Sequence, residues 1–519
     1  LGDASGLLCC ATPAQFCITG HALGGLAAVD AVVQAFMGSG GGMIPNLSLA
    51  VVSGDGRLVL ARGYTNCAAF PTPNEVFIAQ PTSRYRIMSV TKPLTATAIM
   101  TLVDAGELGL GDKVGDLLEE DLAGTPYNQE LHEMEVWQLL SHLSFSGFGD
   151  TNNGPALTED DANIASKLVE SLPVTQRDIV QYAAEFVDFS PMSTDCVFNA
   201  STGQAYPDKY LWKYSNFGYL LLGRIIEAKT GSYERYMRDH IFAPLGMNDM
   251  ALAGARKRSD RAHDEVRYYY GGTPLTSPAA CATSVLDESG SCVEIPYGGG
   301  FNIDNFQAFG GWIGHPIDLC AFGWDMHDGA TSTLLREATI DTMMFNWGGM
   351  DCKSSRTQWG LGWSLNMQMT GGRGHRGSKE GSRALLYLFP PTRAFGGAQN
   401  VVLALAMNRH PDENIIAPSK KPNGGTAWSA FLTALLGTTT APGVLDGITD
   451  WGGTDNLAEL YEKPELNINI FIPPGDPRAR IGLADEALLR SVMDPSRFES
   501  LRVPDYSGWY RWPFYNYGG

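Results

Sequence analysis

No segment of this chain is long and apolar enough to read as a membrane span. The longest apolar stretch near its start, Ala22–Met37, is broken by Asp30 and Gln34. It falls short of the roughly 20 residues a bilayer requires and reads as an amphipathic helix. Runs of basic residues are missing too. Asp and Glu outnumber Lys and Arg by 56 to 37, a formal net charge of −19. An acidic surface argues against nucleic acid and anionic membrane as principal partners. The nine cysteines form no Cys-x-x-Cys pair and no zinc-type Cys/His spacing. Gly-x-Ser-x-Gly is absent, which removes the usual signature of an α/β-hydrolase nucleophile.

What is present is enough for a large core. The chain has 519 residues, with 44% hydrophobic and 18% charged content, as in ordinary globular proteins. Val29, Val33 and Phe36 share a helical face. Leu47–Val52 and Leu58–Ala61 read as strands joined by Gly54, Asp55 and Gly56. Helical patterns dominate the middle, including Tyr219–Lys229. Strand-like runs return at Gly360–Met369, Ala384–Phe389 and Val401–Ala406, and Ala427–Leu436 closes as a helix. Strands from both ends with helices between predict an α/β (α+β) sheet carrying a helical insertion. From about Thr438 onward the chain is rich in Pro, Gly, Asp and aromatics, and this tail is expected to fold back on its own domain.

Compartment is hinted at weakly. Cys281 and Cys292 lie in a polar, glycine-containing loop and are expected to pair. Asn46 and Asn199 begin Asn-x-Ser sequons. The chain begins at Leu1 with no signal peptide, consistent with a processed form. A secreted or organelle-lumen protein is expected.

Chemistry concentrates at Ser89, Val90, Thr91 and Lys92, where a polar strand end turns into an apolar helix. Residues three apart share a helix face, so Ser89 and Lys92 project together. The amine can then manage the hydroxyl proton. Ser-x-x-Lys alone is common, and its bland reading is a solvated helix start. Two further groups add weight. Tyr214, Ser215 and Asn216 precede the 219–229 helix. A phenol near an ammonium has its ionised form favoured, and an amide can orient a lysine. His375, Arg376, Gly377 and Ser378 precede the Ala384–Phe389 strand. A glycine there lets a substrate approach the backbone, and the next N–H can face an oxyanion.

These three ordered motifs resemble the serine β-lactamase-like hydrolases: class C β-lactamases, D,D-peptidases and related carboxylesterases. Gln138–His142, Phe242–Met247 and Gly360–Trp363 add to the likeness, which runs from about 22 to 437. It implies a hydrolase domain over 22–437 with a helical insertion at roughly 107–350. Residues 1–21 and 438–519 remain as extensions without counterpart. It implies an antiparallel sheet beside a mainly helical domain, with the site between them. It implies Ser89 as acylated nucleophile, Lys92 and Tyr214 sharing the proton work, and the N–H groups of Ser89 and Ser378 as oxyanion hole. Asn216, His375 and Gly377 would bind substrate, with no metal or organic cofactor. Lys229, Thr230 and Gly231 spell the Lys-Thr-Gly of many β-lactamases, but they end a helix, whereas the third motif belongs on a strand. Histidine in that motif offers less positive charge than lysine to a β-lactam carboxylate, and Arg376 should point to the opposite face. Ester, lactone or small amide hydrolysis is therefore favoured over D,D-peptidase or β-lactamase activity. A non-catalytic binding or assembly role is the reading from another class. Expected partners are small-molecule or short-peptide substrates. His142 and His240 read as structural histidines. His132 with Glu133, and His263 with Asp264 and Glu265, lack a second ligand pair for a metal.

Overall fold

The computed structural model describes residues 16–38, 44–70, 76–144, 157–187, 189, 212–254, 264–270, 281–350, 358–367, 372–389, 400–409, 427–437, 442–451 and 455–461. Asn199 and the aromatic run at 509–517 lie outside them.

Period-two alternation of large apolar residues builds the main sheet. In chain order its strands are β1 (Phe16–Ala22), β2 (Asn46–Ser53), β3 (Leu58–Asn66), β9 (Ser364–Met367), β10 (Gly372–Lys379), β11 (Ser382–Phe389) and β12 (Val401–Met407). They lie side by side as β1-β3-β2-β12-β11-β10-β9, each pair antiparallel. Both faces are covered, so the central strands read as almost unbroken apolar runs. Ala384, Leu386 and Leu388 of β11, with Val402, Ala404 and Ala406 of β12, face one core. Leu385, Tyr387 and Phe389, with Val401, Leu403 and Leu405, face the other.

The second core is closed by α1 (Val29–Gly38) and α9 (Ala427–Leu436). Phe36 stacks on Phe431 with ring centroids 4.1 Å apart. Such a pair adds about 0.5–1.5 kcal/mol beyond area burial.

The first core holds the helical region. Its longer helices are α2 (Thr91–Asp104), α3 (Val136–Ser141), α4 (Asp161–Leu168), α5 (Gln176–Phe186), α6 (Asn216–Thr230), α7 (Pro316–Asp325) and α8 (Glu337–Met344). Short strands β4 (Tyr85–Arg86), β5 (Ala251–Leu252) and β8 (Trp312–Gly314) make a small sheet ordered β4-β8-β5. Helix α7 lies directly on the main sheet. A Cβ on its Gly323 would sit 2.7 Å from Val402 Cγ1 and 2.9 Å from Leu386 Cδ1. Glycine there sets how near the helix approaches.

Residues 16–22, read from sequence as mostly within an N-terminal extension, are the edge strand β1, pairing with β3 from Phe16↔Asn66 to Ala22↔Leu60. Part of the C-terminal extension folds back on the domain, as expected. Leu445, Ile448 and Trp451 enter the second core, while Leu457 and Ala458 enter the first. Asn456 Oδ1 accepts from Leu58 N–H at 3.0 Å. Asn46 is fully buried in β2, its Nδ2 donating to the Phe77 carbonyl at 2.8 Å, so this sequon cannot accept a glycan in the folded protein.

Cys281 and Cys292 are bonded across a hairpin of β6 (Cys281–Thr283) and β7 (Cys292–Glu294). Cys17 and Cys67 are also disulfide-bonded, and Cys320 is free and buried. Among the described residues no helix is long and apolar enough to cross a membrane.

Candidate active site

The site forms where β4 runs into α2. Strand β4 leads through Ile87, whose N–H donates to the Trp312 carbonyl of β8 at 3.0 Å. A 3₁₀ turn at Met88–Val90 follows, then α2. Met88 has φ 48°, a left-handed backbone rare for a non-glycine residue. It sits directly before Ser89, and strain of this kind persists only where the surroundings over-determine it. The surroundings here are two glycines. A Cβ on Gly310 would lie 3.6 Å from the Met88 backbone, and one on Gly377 would lie 2.0 Å from the Ile87 carbonyl oxygen. Strand β10 can therefore lie against the Met88–Val90 turn only because residue 377 lacks a side chain.

One turn into α2, Lys92 is fully buried. Its Nζ donates to Asn216 Oδ1 at 2.6 Å, to the Phe309 carbonyl at 3.1 Å and to Ser89 Oγ at 3.2 Å. Each of these oxygens can accept from an ammonium N–H. When the group gives up a proton, its lone pair can take the place of a donor, and Ser89 Oγ is the only one of the three acceptors that has a proton to offer. Asn216 is the first residue of α6. That start is fixed by Ser215, whose hydroxyl accepts from Gly218 N–H at 3.0 Å as helix N-cap. Tyr214 stands just before it, with Lys92 Nζ 4.7 Å from the ring centroid. This is within cation–π range.

His375 and Gly377 of β10 are buried, and Arg376 and Ser378 between and beyond them are exposed, as strand alternation demands. His375 Nδ1 lies 2.8 Å from the Arg376 carbonyl. A carbonyl only accepts, so Nδ1 carries the proton and Nε2 keeps its lone pair. Burial first, then the Lys92 ammonium, pull the His375 pKa down to about 3. The residue is neutral at any ordinary pH. It carries no cation, and its Nε2 is buried without a hydrogen-bond partner.

Sequence reasoning missed several contributors. The Phe309 carbonyl has no side-chain signature. Trp359 stands 6.0 Å from Tyr214 and 5.5 Å from His375, edge to face. Lys379, at the end of β10, pairs with Glu159 at 2.8 Å and ties the strand to the helical region. Lys229, Thr230 and Gly231 end α6, with Gly231 as its left-handed C-cap at φ 82°.

The described geometry thus joins a buried lysine to a serine hydroxyl and an asparagine amide, under a tyrosine ring. The model of the family described as Beta-lactamase matches residues 29–418, and the chain belongs to that family of serine hydrolases. Among relatives, it is 30% identical over 189 residues to "Penicillin-binding protein 4*" of Bacillus subtilis (strain 168), covering 36% of this chain and 34% of that protein. It is 27% identical over 238 residues to "Protein flp" of Staphylococcus aureus (strain MW2), covering 46% and 40%. The matched segments thus span only about a third to two fifths of those relatives. In fold it is similar to the octameric penicillin-binding protein homologue from Pyrococcus abyssi, with TM-score 0.51, 22% identity, and 80% and 78% of the two chains covered. It is also similar to EstCE1, a hydrolase with promiscuous acyltransferase activity, with TM-score 0.52, 16% identity, and 75% and 95% covered.

Proposed function

We propose that the protein hydrolyses esters, lactones or small amides through an acyl-enzyme on Ser89. The observation that carries this reading is Lys92 Nζ, held between Ser89 Oγ and Asn216 Oδ1 under the Tyr214 ring. In the state where Lys92 or Tyr214 can accept a proton, Ser89 Oγ attacks the substrate carbonyl carbon. The Oγ–H proton passes to that acceptor, and the carbonyl π pair moves to oxygen. The N–H groups of Ser89 and Ser378 receive this oxyanion. Collapse breaks the bond to the alcohol or amine, which leaves with the proton. Water then attacks the acyl carbon and gives one proton to the same relay; collapse breaks the bond to Ser89 Oγ, which takes that proton back, and the carboxylic acid departs. Asn216 keeps Lys92 in place, and His375 and Gly377 line the acyl-binding edge.

The lean toward neutral acyl substrates rests on His375. A β-lactam or peptide carboxylate gains no positive charge from a group whose pKa lies near 3. The disulfides of Cys281, Cys292, Cys17 and Cys67 support an oxidising compartment, secreted or luminal.

The test compares kcat/KM for p-nitrophenyl butyrate and nitrocefin in wild type and in Ser89→Ala. The ester should be preferred, Ser89→Ala should abolish turnover, and a fluorophosphonate should add once, on Ser89. Preference for nitrocefin would replace this reading by a β-lactamase or D,D-peptidase. Absence of both turnover and labelling would point to a non-catalytic role on the same scaffold.

A further inference from the structure

We infer that His142, at the end of α3, is the positioning residue that sets the backbone and ring of Tyr214. This inference rests on the proton role proposed for Tyr214.

Helix α3 ends at His142 with φ 60° and ψ 28°. That left-handed C-terminal position usually belongs to glycine, because a Cβ there is crowded by the following carbonyl oxygen. The histidine uses its place in three ways. Its carbonyl accepts from Lys213 N–H at 2.8 Å. Its Nδ1 accepts from Ser215 N–H at 3.1 Å. Its ring lies against the Tyr214 ring, centroids 4.5 Å apart and 35° between planes. The two N–H groups held belong to the residues on either side of Tyr214. One lies in the peptide unit that follows Tyr214 and the other one unit upstream, so the segment is anchored to one residue on both sides, and the tyrosine ring rests on that residue's imidazole.

The same clamp reaches Lys92. Ser215 caps α6, and Asn216, the next residue, accepts from Lys92 Nζ at 2.6 Å. A shift of the 213–215 segment would move the phenol and the amide together.

Proton bookkeeping agrees. Nδ1 can accept from an amide N–H only while unprotonated, so the ring must be neutral with its hydrogen on Nε2. Burial, then Lys92, then His375 hold its pKa well below the usual value. Nε2 is buried without a hydrogen-bond partner. The imidazole lies among the rings of Tyr219, Trp359 and Trp212, ring centroids 5.2, 5.1 and 6.0 Å apart. Leaving a buried N–H unpaired is costly. The site thus tolerates an unfavourable torsion and an unsatisfied donor, and both hydrogen bonds that His142 accepts from 213–215 hold the segment carrying Tyr214.

Two substitutions separate positioning from mere support. H142N keeps a residue that tolerates the left-handed backbone and places Oδ1 near Nδ1. H142G relieves the torsion but removes the acceptor and the ring. With p-nitrophenyl butyrate, H142G should lower kcat about 30-fold or more while KM changes less than about threefold, since small misplacements of a reacting group can cost about 10²-fold. H142N should stay within about fivefold of wild type. In a Tyr214→Phe background H142G should cost less than about threefold, because its effect runs through the phenol. Amide hydrogen exchange, which needs no turnover, should quicken at 213–215 in H142G and stay near wild type in H142N. Equal loss in both variants, undiminished loss in the Tyr214→Phe background, or unchanged exchange in H142G would overturn the inference. If H142G does not fold, H142N decides by itself: loss beyond about 30-fold or fast exchange at 215 refutes it. If wild type neither turns over ester nor labels at Ser89, the hydrolase reading fails, and the inferred role for His142 in setting Tyr214 for proton transfer fails with it. The exchange arm then reports only whether the clamp itself exists.

Discussion

Gly377→Ala adds one methyl group and removes no polar atom of the site, so it isolates the fit between β10 and the turn that carries Ser89. The new Cβ would sit 2.0 Å from the Ile87 carbonyl oxygen, 3.0 Å from Ile87 C and 3.0 Å from Met88 Cβ. Ordinary contact requires about 1.5 Å more. The nearest obstacle is backbone, which cannot rotate aside. The Ile87 N–H is bound to the Trp312 carbonyl, and β10 is paired along its length with β11. Strand or turn must yield by roughly an ångström. Ser378 N–H and Ser89, the two ends of the proposed oxyanion hole, flank that contact. A 1 Å misplacement of a reacting group can cost about 10²-fold. We expect kcat/KM for p-nitrophenyl butyrate to fall on the order of 10²-fold. Overpacking of this kind costs about 1–3 kcal/mol, so Tm should drop by about 1–3 °C while the protein stays folded. Steady-state kinetics and a thermal melt on the same preparation measure both. Activity within threefold of wild type would refute the argument that glycine is required for close approach.

Lys92→Ala and Tyr214→Phe should each lower kcat by about 10²-fold or more, and the double variant should lose little beyond the worse single one. Fully multiplicative losses would mean that the two residues act independently. Because the folded-state pKa of His375 is depressed to about 3, the stability linked to it is fully present above the unfolded value near 6.5 and is lost as pH falls from there toward 3. His142 acts in the same direction. Urea midpoints should therefore fall between pH 7.5 and 4.5, and His375→Gln should flatten that decline; an equal decline in the variant would count against it. Non-reducing peptide mapping should recover Cys281 joined to Cys292, and Cys320 should react with iodoacetamide only after denaturation. Free thiols at 281 and 292 would remove both the bridge and its support for an oxidising compartment.

The parts of the site legible in the sequence are those whose chemistry sits in side chains at short spacing. Ser89 and Lys92 are one helical turn apart, Tyr214 and Asn216 bracket an N-cap serine, and His375 and Gly377 share a strand face. The sheet was equally legible where both faces are apolar, as in β11 and β12. What could not be read depends on backbone atoms or on distant partners. The Phe309 carbonyl that holds Lys92 is a peptide oxygen 217 residues away. The left-handed Met88 follows from glycines at 310 and 377. Strand β1, interrupted by Gly20 and His21, has too mixed a pattern to be identified without β3 beside it. His142 reads as an ordinary helix-end histidine until the tyrosine it touches is known.

The way the chain ends wrap the sheet bears on how the protein can be cut. The family match stops at residue 418, yet Trp428, Phe431 and Leu432 of α9 cover Phe36 and the outer face of the sheet, and Leu445, Ile448 and Trp451 continue that cover. At the other end the match begins at residue 29 and omits β1, leaving the β3 edge without its partner. A fragment trimmed to the region of family likeness would carry every side chain of the proposed site and still expose an apolar face and a bare strand edge, the two surfaces most prone to aggregation. For this protein the limits of recognisable ancestry and the limits of a folding unit are different, and expression fragments should be drawn at the second.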